Sequence, residues 1–100
     1  AIPREACGVL VIDYPRHYVR SLVNTSHDPE RSYGVDNQEL VETLVDLMES
    51  EDIVIKREDV VIWHTHPSGY VGPSRGDISA KEPTLNYLVV ALPNGEATQF

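Results

Sequence analysis

Cysteine is nearly missing from this chain: Cys7 is the only one in 100 residues. An intramolecular disulfide is excluded, and so is any zinc finger that needs two or four thiolates. Basic residues are scarce as well, eight Lys and Arg against sixteen Asp and Glu, for a net charge of −8. A field of that sign repels phosphate backbones, so nucleic acid is not an expected partner. A neutral or basic protein substrate suits it better. Long apolar runs are also lacking. No segment approaches the roughly 20 residues that cross a bilayer, and no positively charged leader with an apolar core opens the chain. There are no repeats, low-complexity stretches or linkers. The expectation is one small domain in the cytoplasm, independent of membranes.

What is present reads as strands around one helix. Ala6 to Ile12 is a short apolar run rich in β-branched residues, the mark of a buried strand. Asp13-Tyr14-Pro15-Arg16 turns the chain, and His17 to Val23 completes a hairpin. Asn24 to Glu30 is loop, and Arg31 to Val35 is a further short strand. Asp36 stands as a helix N-cap with Glu39 three residues on, a capping-box arrangement. Leu40, Val41, Leu44, Val45, Leu47 and Met48 recur at helical spacing, opposite an acidic face. Asp59 to His66 is a second strand, and Leu85 to Leu92 a third. Pro93-Asn94-Gly95 turns into a return strand from Glu96. The fold class is α/β or α+β, a sheet covered by helices.

The chemistry concentrates in Trp63-His64-Thr65-His66-Pro67, followed by Ser74 and Asp77. On a strand, His64 and His66 share one face because side chains alternate with period two. Trp63 and Thr65 then point the other way and are expected to pack in the core. Desolvated imidazoles need partners, and one shared cation serves both. Pro67 to Gly76, with three glycines and two prolines, is a turn-rich loop long enough to return Asp77 over the strand end. Two nitrogens and one oxygen without a fourth protein ligand describe a catalytic zinc site that keeps a position for water. Such a water has a pKa near 7 (about), and a neighbouring base helps to activate it. Glu5, at the mouth of the first strand, is one candidate base among sixteen acidic residues; a plain surface carboxylate is the alternative. Ser74 either donates to an oxyanion or caps the helix that carries Asp77. Cys7 is read as a small buried residue and less readily as a fourth ligand.

Two other zinc chemistries lack their residues. Nucleobase deaminases need His-x-Glu and Pro-Cys-x-x-Cys, and thermolysin-like proteases need His-Glu-x-x-His. Gly69, Gly72 and Gly76 have no P-loop lysine and serine in order.

Glu5, then His64-x-His66-Pro67, six residues, and Ser74-x-x-Asp77 resemble the JAMM (MPN/JAB domain) metalloprotease family, and Glu5-Ala6-Cys7-Gly8-Val9-Leu10 is similar to that family's segment around its catalytic glutamate. The resemblance implies a single domain over residues 1–100, with a curved mixed sheet flanked by helices in the cytidine-deaminase-like manner. The family ordinarily has a helix before the glutamate and continues past the strand after the motif, so the expectation is either a domain trimmed at both ends or an unusually minimal version of it. It further implies one zinc ion on His64, His66 and Asp77, Glu5 as general base and proton shuttle, and Ser74 as oxyanion donor. Tyr70 and Val71 are expected to line the substrate groove.

Pro3-Arg4-Glu5-Ala6-Cys7-Gly8, Asn24 with Asp28-Pro29, and Tyr33-Gly34-Val35-Asp36 are similar to the JAB-type domain of phage tail-assembly proteins, often joined to a partner cysteine peptidase domain. The implied activity is hydrolysis of peptide or isopeptide bonds in a protein or peptide substrate. The alternatives are deconjugation of ubiquitin-like proteins or sulfur carriers, and a non-catalytic MPN scaffold.

Overall fold

The computed structural model describes residues 4–100; Pro3, part of the opening motif, lies outside the described residues. In chain order come β1 (Cys7–Asp13), β2 (Arg16–Leu22), α1 (Asn37–Glu51), a 3-10 turn at Arg57–Asp59, β3 (Val60–His66), α2 (Arg75–Ala80), β4 (Asn86–Ala91) and β5 (Glu96–Gln99). The strands form one mixed sheet in the order β2-β1-β3-β4-β5. Of its pairings only β3 with β4 is parallel. A parallel pair cannot close through a tight hairpin, and the crossover it requires contains α2.

Register decides which side chains meet. Cys7 stands opposite His64 and Val9 opposite Ile62, while His64 and His66 face Val89 and Ala91 across β4. Alternation therefore places Val9, Val11, Val60, Ile62, Tyr87 and both histidines on one face. Five of these, all but the histidines, form the buried core with Leu47 of α1. Asp77 of α2 reaches the histidines on the same side, so both helices cover one face of the sheet.

Asp36 caps α1 through the Gln38 backbone N–H. The capping box expected there does not close, because Glu39 Oε1 accepts from the Val23 backbone N–H at 2.9 Å. The carboxylate ties α1 to the end of β2 instead. The apolar stripe is also narrower than its spacing implied: Leu47 is fully buried, whereas Val41 and Val45 are exposed.

Two further expectations are corrected. Arg31 to Val35 forms no strand; its start is a turn in which the Arg31 and Ser32 N–H groups both donate to the Asp28 carbonyl. Trp63 and Thr65 lie on the sheet face opposite the core and are only half-buried. Periodicity separates two faces but does not tell which one the helices cover. The Trp63 indole lies across Gly8, where an added Cβ would stand 2.4 Å from Cζ2 and 2.1 Å from the Arg20 carbonyl oxygen. Only glycine permits that approach.

Candidate metal centre

Four titratable side chains are buried together at the end of β3: Glu5, His64, His66 and Asp77. His64 Nε2 and His66 Nε2 lie 3.0 Å and 3.1 Å from the same oxygen, Asp77 Oδ2. The local sequence explains how the aspartate arrives. Ser74 and Asp77 form a reciprocal capping box at the start of α2, the Ser74 N–H donating to Asp77 Oδ2 at 2.9 Å and the Asp77 N–H to Ser74 Oγ at 3.0 Å. Gly69, at φ +86°, helps fold the intervening loop back, its N–H donating to the His66 carbonyl.

The proton positions carry information. His66 Nδ1 is 3.1 Å from the Tyr70 carbonyl oxygen, which can only accept, so Nδ1 carries a hydrogen. In a neutral ring Nε2 then presents a lone pair to a carboxylate oxygen. Two acceptors at that distance need a positive centre between them, a proton or a metal ion. A ring N–H held by a backbone carbonyl is the usual outer support of a metal-ligating histidine. His64 differs: its Nδ1 is buried with no hydrogen-bond partner among the described residues. Its ring instead stacks on Tyr33, centroids 4.0 Å apart and planes at 19°, and meets the edge of Phe100 at 5.9 Å.

Glu5 stands just before β1, its main chain held from both sides. Its N–H donates to the Pro29 carbonyl at 2.6 Å, and its own carbonyl accepts from Asn24 Nδ2 at 2.9 Å. Asn24 also donates to the Ser32 carbonyl and accepts from the Ser26 and Gly34 N–H groups. One amide thereby fastens the whole 24–34 loop to Glu5. Glu5 Oε1 is buried without a partner among the described residues. Glu5, His64 and His66 each place a ligand atom within 4.8 Å of the others, a group able to hold a metal ion.

Electrostatics match this crowding. Burial pushes the Glu5 carboxyl up to about 7; the His66 imidazole partly opposes this, and Asp77 and Asp28 add to it. Burial lowers His64, against the pull of Asp77. Burial also works to raise Asp77, but the Ser74 N–H and the two imidazoles outweigh it and hold the carboxyl below its usual range. Cys7 is forced up to about 11, first by burial and then by Glu39 and Glu5, and remains a neutral thiol.

A cleft of about 270 Å³ opens onto these groups, walled by Glu5, Glu30, Arg31, His66, Ser68, Tyr70 and Ser74. Tyr70 sits in the wall, its ring 5.7 Å from that of His66. Val71 does not; it is 52% exposed and outside the cleft. The Gly-rich loop places alternate residues differently, and only Tyr70 turns back over the histidine. A larger groove of about 560 Å³ runs beside α1, lined by Leu40, Leu44, Met48 and Leu85 among others, away from the four converging residues.

Sequence reasoning gave no role to Asn24, Tyr33, Arg31 or Phe100. Asn24 and Tyr33 lay inside quoted motifs, but the Asn24–Glu5 and Tyr33–His64 contacts join residues 19 and 31 apart in sequence and leave no local periodic signal.

Two imidazoles, a capped aspartate and a buried carboxylate at the end of a mixed sheet define a protein with a candidate cation centre. The chain matches, over residues 1–100, the family model for prokaryotic homologs of the JAB domain, and it belongs to that family. No curated protein matches the sequence significantly. No helix among the described residues is long and apolar enough to cross a membrane.

Proposed function

We propose that this JAB domain is a zinc-dependent peptidase that hydrolyses peptide or isopeptide bonds. The observation that carries the reading is the meeting of His64 Nε2, His66 Nε2 and Asp77 Oδ2 near Glu5, whose Oε1 has no partner among the described residues. An N, N, O donor set suits zinc, with His64, His66 and Asp77 as its ligands. Bound there, zinc supplies Lewis acidity and lowers the pKa of a water molecule.

The remaining chemistry belongs to the chain. Glu5, with its carboxyl near neutrality, takes a proton from the attacking water as the C–O bond forms, and returns it to the amide nitrogen as the C–N bond breaks. The products are a carboxylic acid and an amine, and Glu5 ends as it began. Ser74 Oγ accepts at the helix cap and still has its own proton to donate, so it serves both as cap and as oxyanion donor. Tyr70 lines the approach of the substrate.

The JAB domain family includes peptidases and isopeptidases, which supports the reaction type. Within it we favour a protein or peptide substrate of the phage tail-assembly kind, processed in the cytoplasm alongside a partner peptidase domain. The test has two parts. Protein purified without a tag should contain close to one zinc per chain. The same protein should cleave at least one member of a panel of short peptides and ubiquitin-like fusions, and Glu5→Gln should not. Less than a small fraction of one zinc would favour a scaffold, and cleavage by Glu5→Gln at the wild-type rate would remove Glu5 from its role.

A further inference from the structure

We infer that Tyr33 is the positioning residue for His64, doing with its aromatic face what a hydrogen bond does for His66. The inference rests on the zinc reading of the centre and deepens it.

The two imidazoles are supported differently. His66 has its outer nitrogen fixed by the Tyr70 carbonyl. His64 is the more deeply buried of the two, with no exposed surface, yet its outer nitrogen has no partner among the described residues. With Nδ1 unpartnered, the one polar contact that orients the ring is Nε2 to Asp77 Oδ2, a single point that does not by itself fix the ring plane. Packing must supply the rest. Tyr33 covers one face of the imidazole at 4.0 Å and nearly parallel, and Phe100 closes the edge at 88°. Cys7 and Val89 flank the residue on the neighbouring strands. In this slot the ring plane is fixed and Nε2 is aimed at Asp77 Oδ2.

The stack also has an electronic consequence. A cation at Nε2 draws electron density from the imidazole, and a ring with positive character is attracted to the electron-rich face of a phenol. Tyr33 thereby favours the metal-bound form over the metal-free one. Its backbone is suitably fixed: Gly34, its neighbour, donates to Asn24 Oδ1, and the Gly34 carbonyl accepts from the Thr25 N–H. The loop that holds Glu5 therefore also presents the ring that holds His64, and the general base and a metal ligand are placed by one segment.

The stack uses the ring and not the hydroxyl, which makes the test specific. Zinc affinity is measured by competition with a chromophoric chelator for wild type, Tyr33→Phe and Tyr33→Leu, and cobalt is substituted to read ligand geometry from its visible bands. Tyr33→Phe should bind zinc within about threefold of wild type and keep its cobalt spectrum. Tyr33→Leu should bind about 10–100-fold more weakly, the range expected on losing an outer support, with altered cobalt bands. In the wild type, His64 ring protons should carry an upfield ring-current shift that persists as zinc is added. This measurement needs no variant and stands if Tyr33→Leu fails to fold. Unchanged affinity and bands in a folded Tyr33→Leu, or loss of the ring-current shift on adding zinc, would overturn the inference. A wild type that takes up neither zinc nor cobalt would instead overturn the zinc reading beneath it.

Discussion

Replacing Glu5 by glutamine should make the metal-free protein more stable at alkaline pH and sharply lower the peptidase activity proposed for the zinc-bound protein. Glu5 is 5% exposed, its Oε1 has no partner among the described residues, and burial raises its carboxyl to about 7 from 4.5. In the unfolded chain the group ionises near its ordinary value. Between these two values the folded state binds more protons than the unfolded state, so stability falls as pH rises from 4.5 through 7. Above that window the loss is complete. A difference of about 2.5 units corresponds to roughly 3 kcal/mol at 1.36 kcal/mol per unit. Glutamine has no charge to bury and no such pH dependence. Urea unfolding of chelator-treated protein at pH 5 (about) and at about pH 8.5 provides the comparison. Titrating groups not coupled to Glu5 cancel in the double difference between wild type and Glu5→Gln; because part of the loss has already occurred at about pH 5, about 2.5 kcal/mol remains that wild type loses and the variant keeps. Peptidase activity should meanwhile drop by about 10²–10⁴-fold, the usual contribution of general acid–base catalysis. Parallel pH profiles for the two proteins would refute the claim that Glu5 is held ionisable at a desolvation cost.

Other outcomes follow from the same geometry. Zinc at about 100 times its dissociation constant should stabilise wild type by about 2.7 kcal/mol, or about 10–20 °C in Tm for a domain of this size, and Asp77→Asn should lose most of that shift in a thermal melt. Ser74→Ala removes a cap and an oxyanion donor together. Stability should fall by about 1 kcal/mol, while kcat falls about 10²-fold or more with little change in KM. Gly8→Ala should destabilise by about 1–3 kcal/mol in urea, because the new methyl meets the Trp63 indole and the Arg20 carbonyl. A neutral effect would mean that β1 and β2 part more readily than their register implies.

Much of this centre is written locally in the chain. His64 and His66 share a face through strand alternation alone, and Ser74 with Asp77 spells a capping box that the structure closes. The β1–β2 hairpin and the β4–β5 turn were readable for the same reason, since each rests on neighbours in sequence. What sequence did not yield is tertiary. Glu39 has the spacing of a capping partner but bonds Val23 of the preceding segment, a choice visible only once β2 and α1 are side by side. Alternation turns Trp63 away from the histidines, which suggests a place in the core, yet the covered face is set by where α1 and α2 pack. Val71 and Tyr70 are adjacent and chemically plausible alike, and loop conformation alone separates them. Tyr33 touches His64 across 31 residues and Phe100 does so across 36, without any periodic trace.

The crossover between the parallel strands β3 and β4 has an evolutionary consequence. His64, His66, Ser74 and Asp77 all come from one strand–loop–helix passage of fourteen residues, whereas Glu5 enters from the far end of the sequence. In the proposed reaction, ion capture and proton transfer are thus encoded in separate stretches. On that reading, one change at Glu5 removes turnover while the centre keeps its ion as an internal brace, a short route from catalyst to adaptor.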